Sequence, residues 1–263
     1  MDNLTLKLVV TPALIGTATL VGRRWGQSVG GWLVGLPLTT GPVAFFIALE
    51  QGPAFGAAAA AGSLGGAVAE AAFAVAYGRS APRIGWLPCL LAGSAAYAAV
   101  AAALQGLALG PIALFVVALA ALIASLRLLP PAGTGAAAAP PPRWDVPARM
   151  VLATAVVLAL TALAPRLGAT LSGLLATYPL FAVILTAFGH QQEGAAAAVS
   201  VLRGLLFGLF SFVAFCLVLA LGLLGLGIAG AFTAAVAVAL LVQGASLWRL
   251  RSPHRIACPG GHA

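Results

Sequence analysis

Long apolar runs separated by short polar breaks fill the chain. Five runs cover 4–21, 30–49, 54–77, 85–104 and 107–129, and four more cover 148–164, 171–188, 195–220 and 225–248. A helix that crosses a bilayer needs about 20 apolar residues, so the pattern predicts nine transmembrane helices. Between the two groups lies PPAGTGAAAAPPPRWDVP, residues 130–147. Proline at that density removes backbone donors and blocks helix, which predicts an extended linker. The first run begins beside Asp2 and is followed, not preceded, by Arg23 and Arg24. That order fits a span better than a cleavable signal.

Composition agrees with the runs. Apolar residues make up 62% of the 263 and charged residues only 7%. A soluble domain carries about 25% charge, and disordered chains are apolar-poor and charge-rich, so both classes are excluded. The formal charge of +8 has an explanation without nucleic acid: basic residues collect in cytoplasmic loops. With nine spans, one side receives Arg23, Arg24, Arg79, Arg83, Arg127, Arg143, Arg149, Arg249, Arg251 and Arg255. The other receives Lys7 and Arg166, and Arg203 lies inside a span. Eight or ten spans would spoil this asymmetry. It predicts a multi-pass protein with the N-terminus outside and the C-terminus cytoplasmic. Three cysteines, Cys89, Cys216 and Cys258, make no disulfide framework.

The chain matches itself at an offset of 142 residues. Arg24 and Gly26 meet Arg166 and Gly168; Pro37-Leu38 meets Pro179-Leu180; Glu50-Gln51-Gly52 meets Gln192-Glu193-Gly194. Gly31 meets Gly173, Gly62 and Gly66 meet Gly204 and Gly208, Phe73 meets Phe215, and Lys7 meets Arg149. Residues 1–106 and 148–248 thus read as two four-helix repeats. The helix over 107–129 has no counterpart, 130–147 is the cytoplasmic linker, and 249–263 is the tail. An odd helix between two four-helix units puts them in opposite orientations, an arrangement known from secondary transporters. The fold class expected is all-α.

Within the repeats, GLLATYPLFAVILTAFGHQQEG over 173–194 and the matching stretch over Pro37 to Gly52 resemble the GlpM-like family of small four-helix inner-membrane proteins. The likeness lies in a glycine, a proline six residues on, an apolar run, and an acid beside a glycine that opens the next helix. Lys7 near the start of the first span also fits. The resemblance implies that the chain is a fused, inverted pair of such units. It implies no activity.

Few polar residues sit at span depth. Glu70 lies in the third span and Arg203 in its repeat mate, at about 10 and 12 Å from the cytoplasmic ends by rise per residue. A charge at the bilayer centre costs about 2.5–3.5 kcal/mol on insertion scales, so the two are expected to face protein or water. A coupling pair beside a substrate path, a structural ion pair, and an Arg203 that snorkels alone to headgroups all remain open. Gly62, Gly66 and Glu70 share one face, and GxxxG spacing predicts close helix packing there and at Gly204 and Gly208. Pro37 and Pro179 break their helices and free carbonyls, with the hydroxyls of Thr39, Thr40, Thr177 and Tyr178 at the same level. Broken helices line substrate cavities, and plain kinks are the alternative. Glu50 and Gln51, and His190, Gln192 and Glu193, fall in short loops at opposite faces. There they serve as helix-start charges or as a polar vestibule with a titrating histidine.

No nucleophile triad, phosphate loop or zinc-protease pattern is present, so no enzyme and no cofactor is expected. His254, Cys258 and His262 in the tail are a poor metal set. The function expected is a small secondary transporter or flippase for a small or lipid-linked substrate. The rival is a non-transporting scaffold or accessory subunit. Expected partners are the bilayer and that substrate, with homo-oligomerisation left open.

Overall fold

A computed structural model describes residues 3–37, 40–107, 109–131, 142 and 144–251; for 3–7, 160, 161, 163–176 and 251 it describes the backbone alone. These residues form helices throughout: α1 (Asn3–Trp25), α2 (Gln27–Val34), α3 (Thr40–Gln51), α4 (Pro53–Ser80), α5 (Trp86–Gln105), α6 (Pro111–Leu128), α7 (Asp145–Ala176), α8 (Leu180–Glu193) and α9 (Ala195–Arg251). Four of them, α4, α5, α6 and α9, are long and apolar enough to cross a membrane. The chain is therefore an all-α protein with the helices of a membrane-embedded one.

The helices do not map one to one onto the nine runs. The run over 30–49 is split, because α2 ends at Val34 and α3 begins at Thr40. The run over 171–188 is split as well: its first part continues α7 to Ala176, and its second part is α8. The break predicted near residue 168 does not occur along α7. A single glycine costs a helix only about 1 kcal/mol, too little to stop one in apolar surroundings. The last two runs stay separate helices within α9, because the backbone leaves the helix at Gly227 (φ 69°, ψ 175°). The linker is shorter than 130–147, since α7 opens at Asp145, and α9 runs three residues into the tail.

Turn chemistry explains the other boundaries. Gly26, Gly52 and Gly194 have φ of 101°, 90° and 89°, a region that only glycine enters without strain. Pro53 and Pro111 stand at the first turns of α4 and α6, where their missing N–H is harmless. Several boundaries recur 142 residues apart. They pair Val34 with Ala176, Gln51 with Glu193, Gly52 with Gly194, and Pro53 with Ala195. Gly85, which caps α5, pairs with Gly227.

At the centre, α4 packs along α9, with α5 on α4, α6 against both α4 and α9, α2 along α9, and α1 on α7. The α4 interface is built from small residues: Ala60, Ala67, Ala71 and Ala74 are buried around Leu64 and Phe73. In lipid, apolar side chains alone give little association, and small residues let backbones approach. The closest approach is α2 on α9. A Cβ on Gly35 would lie 2.7 Å from Cα of Gly208, and one on Gly31 or Gly204 would collide with the carbonyl oxygen of Val201 or Ser28. Gly204 and Gly208 thus do pack closely, against the glycines of α2.

Candidate functional site: a cavity between α4 and a broken helix

The counterpart face on α4 behaves differently. A Cβ on Gly62 would meet nothing, and one on Gly66 would lie 3.0 Å from Cβ of Thr177. One turn further on, Glu70 completes the face. Opposite it the chain leaves the helix at Thr177 to Pro179 before α8 begins. This break is fastened to α5. Tyr97 and Thr177 share a 2.6 Å hydroxyl–hydroxyl hydrogen bond, and Ser94 and Tyr178 share one of 2.7 Å. The rings of Tyr97 and Tyr178 meet edge-on at 5.3 Å, and Tyr178 also stands edge-on to Phe73.

Between α4 and the break lies a cavity of about 970 Å³. Thr40, Glu70, Thr177, Tyr178, Pro179 and Cys216 line it, and it reaches Gln105 and Leu107 at the end of α5. Val34, Gly35 and Leu36, at the end of α2, also line it. Most of the remaining lining is aliphatic or aromatic, and Glu70 is the one charged residue among the described lining. No hydrogen bond or ion pair to its carboxylate is formed among the described residues; both ion pairs found there belong to Asp145.

Glu70 and Arg203 are not partners. Nη2 of Arg203 donates to the carbonyl oxygen of Pro130 at 2.9 Å, and its Nε is buried without an acceptor. The reason is register. A Cβ on Gly78 would lie 3.6 Å from Leu202, so Arg203 lies level with the end of α4. Glu70 is eight residues deeper, about 12 Å at 1.5 Å per residue. Tyr77 and Ala195 therefore do not lie in one plane, and equal depths from them do not bring Glu70 and Arg203 level. Arg203 instead caps the exit of α6.

The other predicted residues separate into two regions. Pro37 lies just outside the cavity lining, and its carbonyl accepts from the N–H of Gly41 at 2.8 Å. Thr39 lies outside the described residues, as do His254, Cys258 and His262. Glu50 and Gln51 stand exposed at the end of α3. His190, Gln192 and Glu193 belong to a packed polar cluster at the opposite end of the molecule. There Asp145, fully buried, accepts from Arg23 at 2.7 Å, from Arg149 at 2.9 Å and from Gln192 at 2.6 Å. Gln27 donates to Glu193 at 2.6 Å, and Arg149 lies 5.0 Å above the ring of Phe188. The hydroxyl of Tyr77 is 3.2 Å from Nδ1 of His190. Burial holds His190 below its usual pKa, so near pH 7 it is a neutral imidazole and can accept that proton. The cluster ties α1, α2, α4, α7 and α8 together at the end where Arg23 and Arg79 gather.

Sequence reasoning did not single out Ser94, Tyr97, Cys216 or Asp145. Asp145 was legible in principle. It is one of five acids in the chain, and Arg149 follows it at the four-residue spacing of a helical pair.

No family model, curated protein or solved structure matches the chain.

Proposed function

We propose that the chain is a small secondary transporter or flippase, built from two inverted repeats, whose substrate site is the cavity between α4 and the break at Thr177 to Pro179. One observation carries this reading: repeat-related contacts are made reciprocally but closed to different degrees. Gly35 meets Gly208, and their mates at the 142-residue offset, Thr177 and Gly66, meet each other. Such an exchange of partners is what a two-fold axis between inverted repeats produces. Around the first pair α2 lies tightly on α9. Around the second, Gly62 faces open space and the cavity begins. A path open at one end and shut at the equivalent point of the other is the asymmetry that alternating access requires.

In the orientation set by the basic residues, the cluster around Asp145 is cytoplasmic and the cavity opens outward. The protein is then an inner-membrane protein of nine spans, with the N-terminus outside and the C-terminus inside. The resemblance to GlpM-like units supplies the ancestral four-helix piece. No chemical step is required of it, so it is not read as an enzyme.

Thiol access tests the cavity. In a background without native cysteines, Thr40→Cys and Tyr178→Cys should react with a small water-soluble maleimide. Leu122→Cys, at a fully buried position, should resist. Equal protection at all three would support the rival reading, a dry scaffold or accessory subunit.

A further inference from the structure

Resting on that reading of the cavity, we infer that its substrate is an organic cation: a positively charged centre carried on an apolar body, held with Glu70 as its counter-ion. The described lining holds one acid and no base. Glu70 is the one charged residue among the described lining. Arg203, the nearest cation expected from the sequence, is turned to Pro130. Arg23 and Arg149 are committed to Asp145 at the far end. An unpaired carboxyl at bilayer depth is costly to ionise; a bound cation favours its ionised form, whereas an anion opposes it.

The rest of the lining suits the apolar body. Tyr178, Phe212 and Phe215 are among the lining residues, and aromatic rings can attract cations. Leu104, Leu114 and Leu209 supply aliphatic surface. The volume, about 970 Å³, is at the upper end of small-molecule pockets. A cation of this kind can arrive as a free solute or as the quaternary amine of a lipid headgroup, and the recognition chemistry is shared.

The test is equilibrium binding of radiolabelled tetraphenylphosphonium to the purified full chain in a neutral detergent. Saturable binding is expected, and tetraphenylborate, of the same shape and opposite charge, should not compete. Glu70→Gln should weaken binding about ten-fold or more without lowering the melting temperature. Gly62→Trp, which fills open space at the mouth, should weaken it with Glu70 intact. Displacement by short-chain phosphatidylcholine would assign a lipid source, and displacement by tetraethylammonium alone a free solute. Absence of saturable binding, binding unchanged by Glu70→Gln, or equal competition by tetraphenylborate would overturn the inference. The two readings fail separately. If Thr40→Cys and Tyr178→Cys label but no cation binds, the substrate class is wrong and the transport path stands. If the cation binds but is not moved across proteoliposomes, the site stands and transport is wrong.

Discussion

Replacing Asp145 by alanine should destabilise the folded protein by about 3–5 kcal/mol, the range for removing one partner of a buried ion pair. The aspartate is fully buried, and its two oxygens accept from three helices at once: Arg23 on α1, Arg149 on its own helix α7, and Gln192 on α8. It also stands in the first turn of α7, where a negative charge complements the helix dipole. Without it the Arg149 guanidinium, 1% exposed and with Nη1 already lacking an acceptor, would be a buried charge with no anion. Arg23→Ala should cost far less, about 1 kcal/mol or below, because the Arg23 side chain is 28% exposed and leaves Asp145 its other partners. Denaturant unfolding of the purified variants in detergent gives both values. A midpoint for Asp145→Ala within error of the unmodified protein would mean the cluster does not hold these helices together.

The second large effect separates two glycines that the sequence treats as equivalent. Gly204→Leu should abolish folded yield, while Gly62→Leu should fold with near-normal stability. At Gly204 the obstacle is backbone: a Cβ would overlap the carbonyl oxygen of Ser28 and lie 2.8 Å from the amide nitrogen of Trp32. Overpacking costs about 1–3 kcal/mol where side chains can shift, and here no flexible side chain is available to yield. At Gly62 there is nothing within 4 Å. Yield of monodisperse protein after size-exclusion chromatography measures the contrast. Equal yields from the two variants would remove the argument that one half is sealed and the other open.

These two cases show what could be read from the sequence and what could not. The proline breaks were legible because Pro37 and Pro179 act through local backbone chemistry, and both chain breaks fall there. The 142-residue offset lies in residue identity; some helix ends recur at it, as Gln51 with Glu193 and Gly85 with Gly227, while the turn at Gly26 has no counterpart in α7. Register between helices was not legible. Glu70 and Arg203 matched in depth by counting, yet α4 passes α9 with Gly78 beside Leu202, and nothing in either helix alone fixes that offset. The Asp145 cluster was hidden for the same reason. Arg23 lies 122 residues from Asp145 and Gln192 lies 47, so only the packing of α1, α7 and α8 brings them together. GxxxG spacing gave the right face at Gly204 and Gly208. On α4 the same spacing lines a cavity, because its opposite surface is the non-helical Thr177 to Pro179 rather than another glycine-bearing helix.

The central claim is a path open on the outer side and closed on the cytoplasmic side, and the reactivity of one engineered cysteine from each side of a sealed membrane tests it most directly. Gly62→Cys in a chain otherwise free of cysteine would be exposed, in right-side-out and in inside-out vesicles, to a charged thiol reagent that cannot cross lipid. Labelling in the right-side-out vesicles and protection in the inside-out ones is the predicted result. Protection in both preparations, or labelling from the cytoplasmic side alone, would contradict the account.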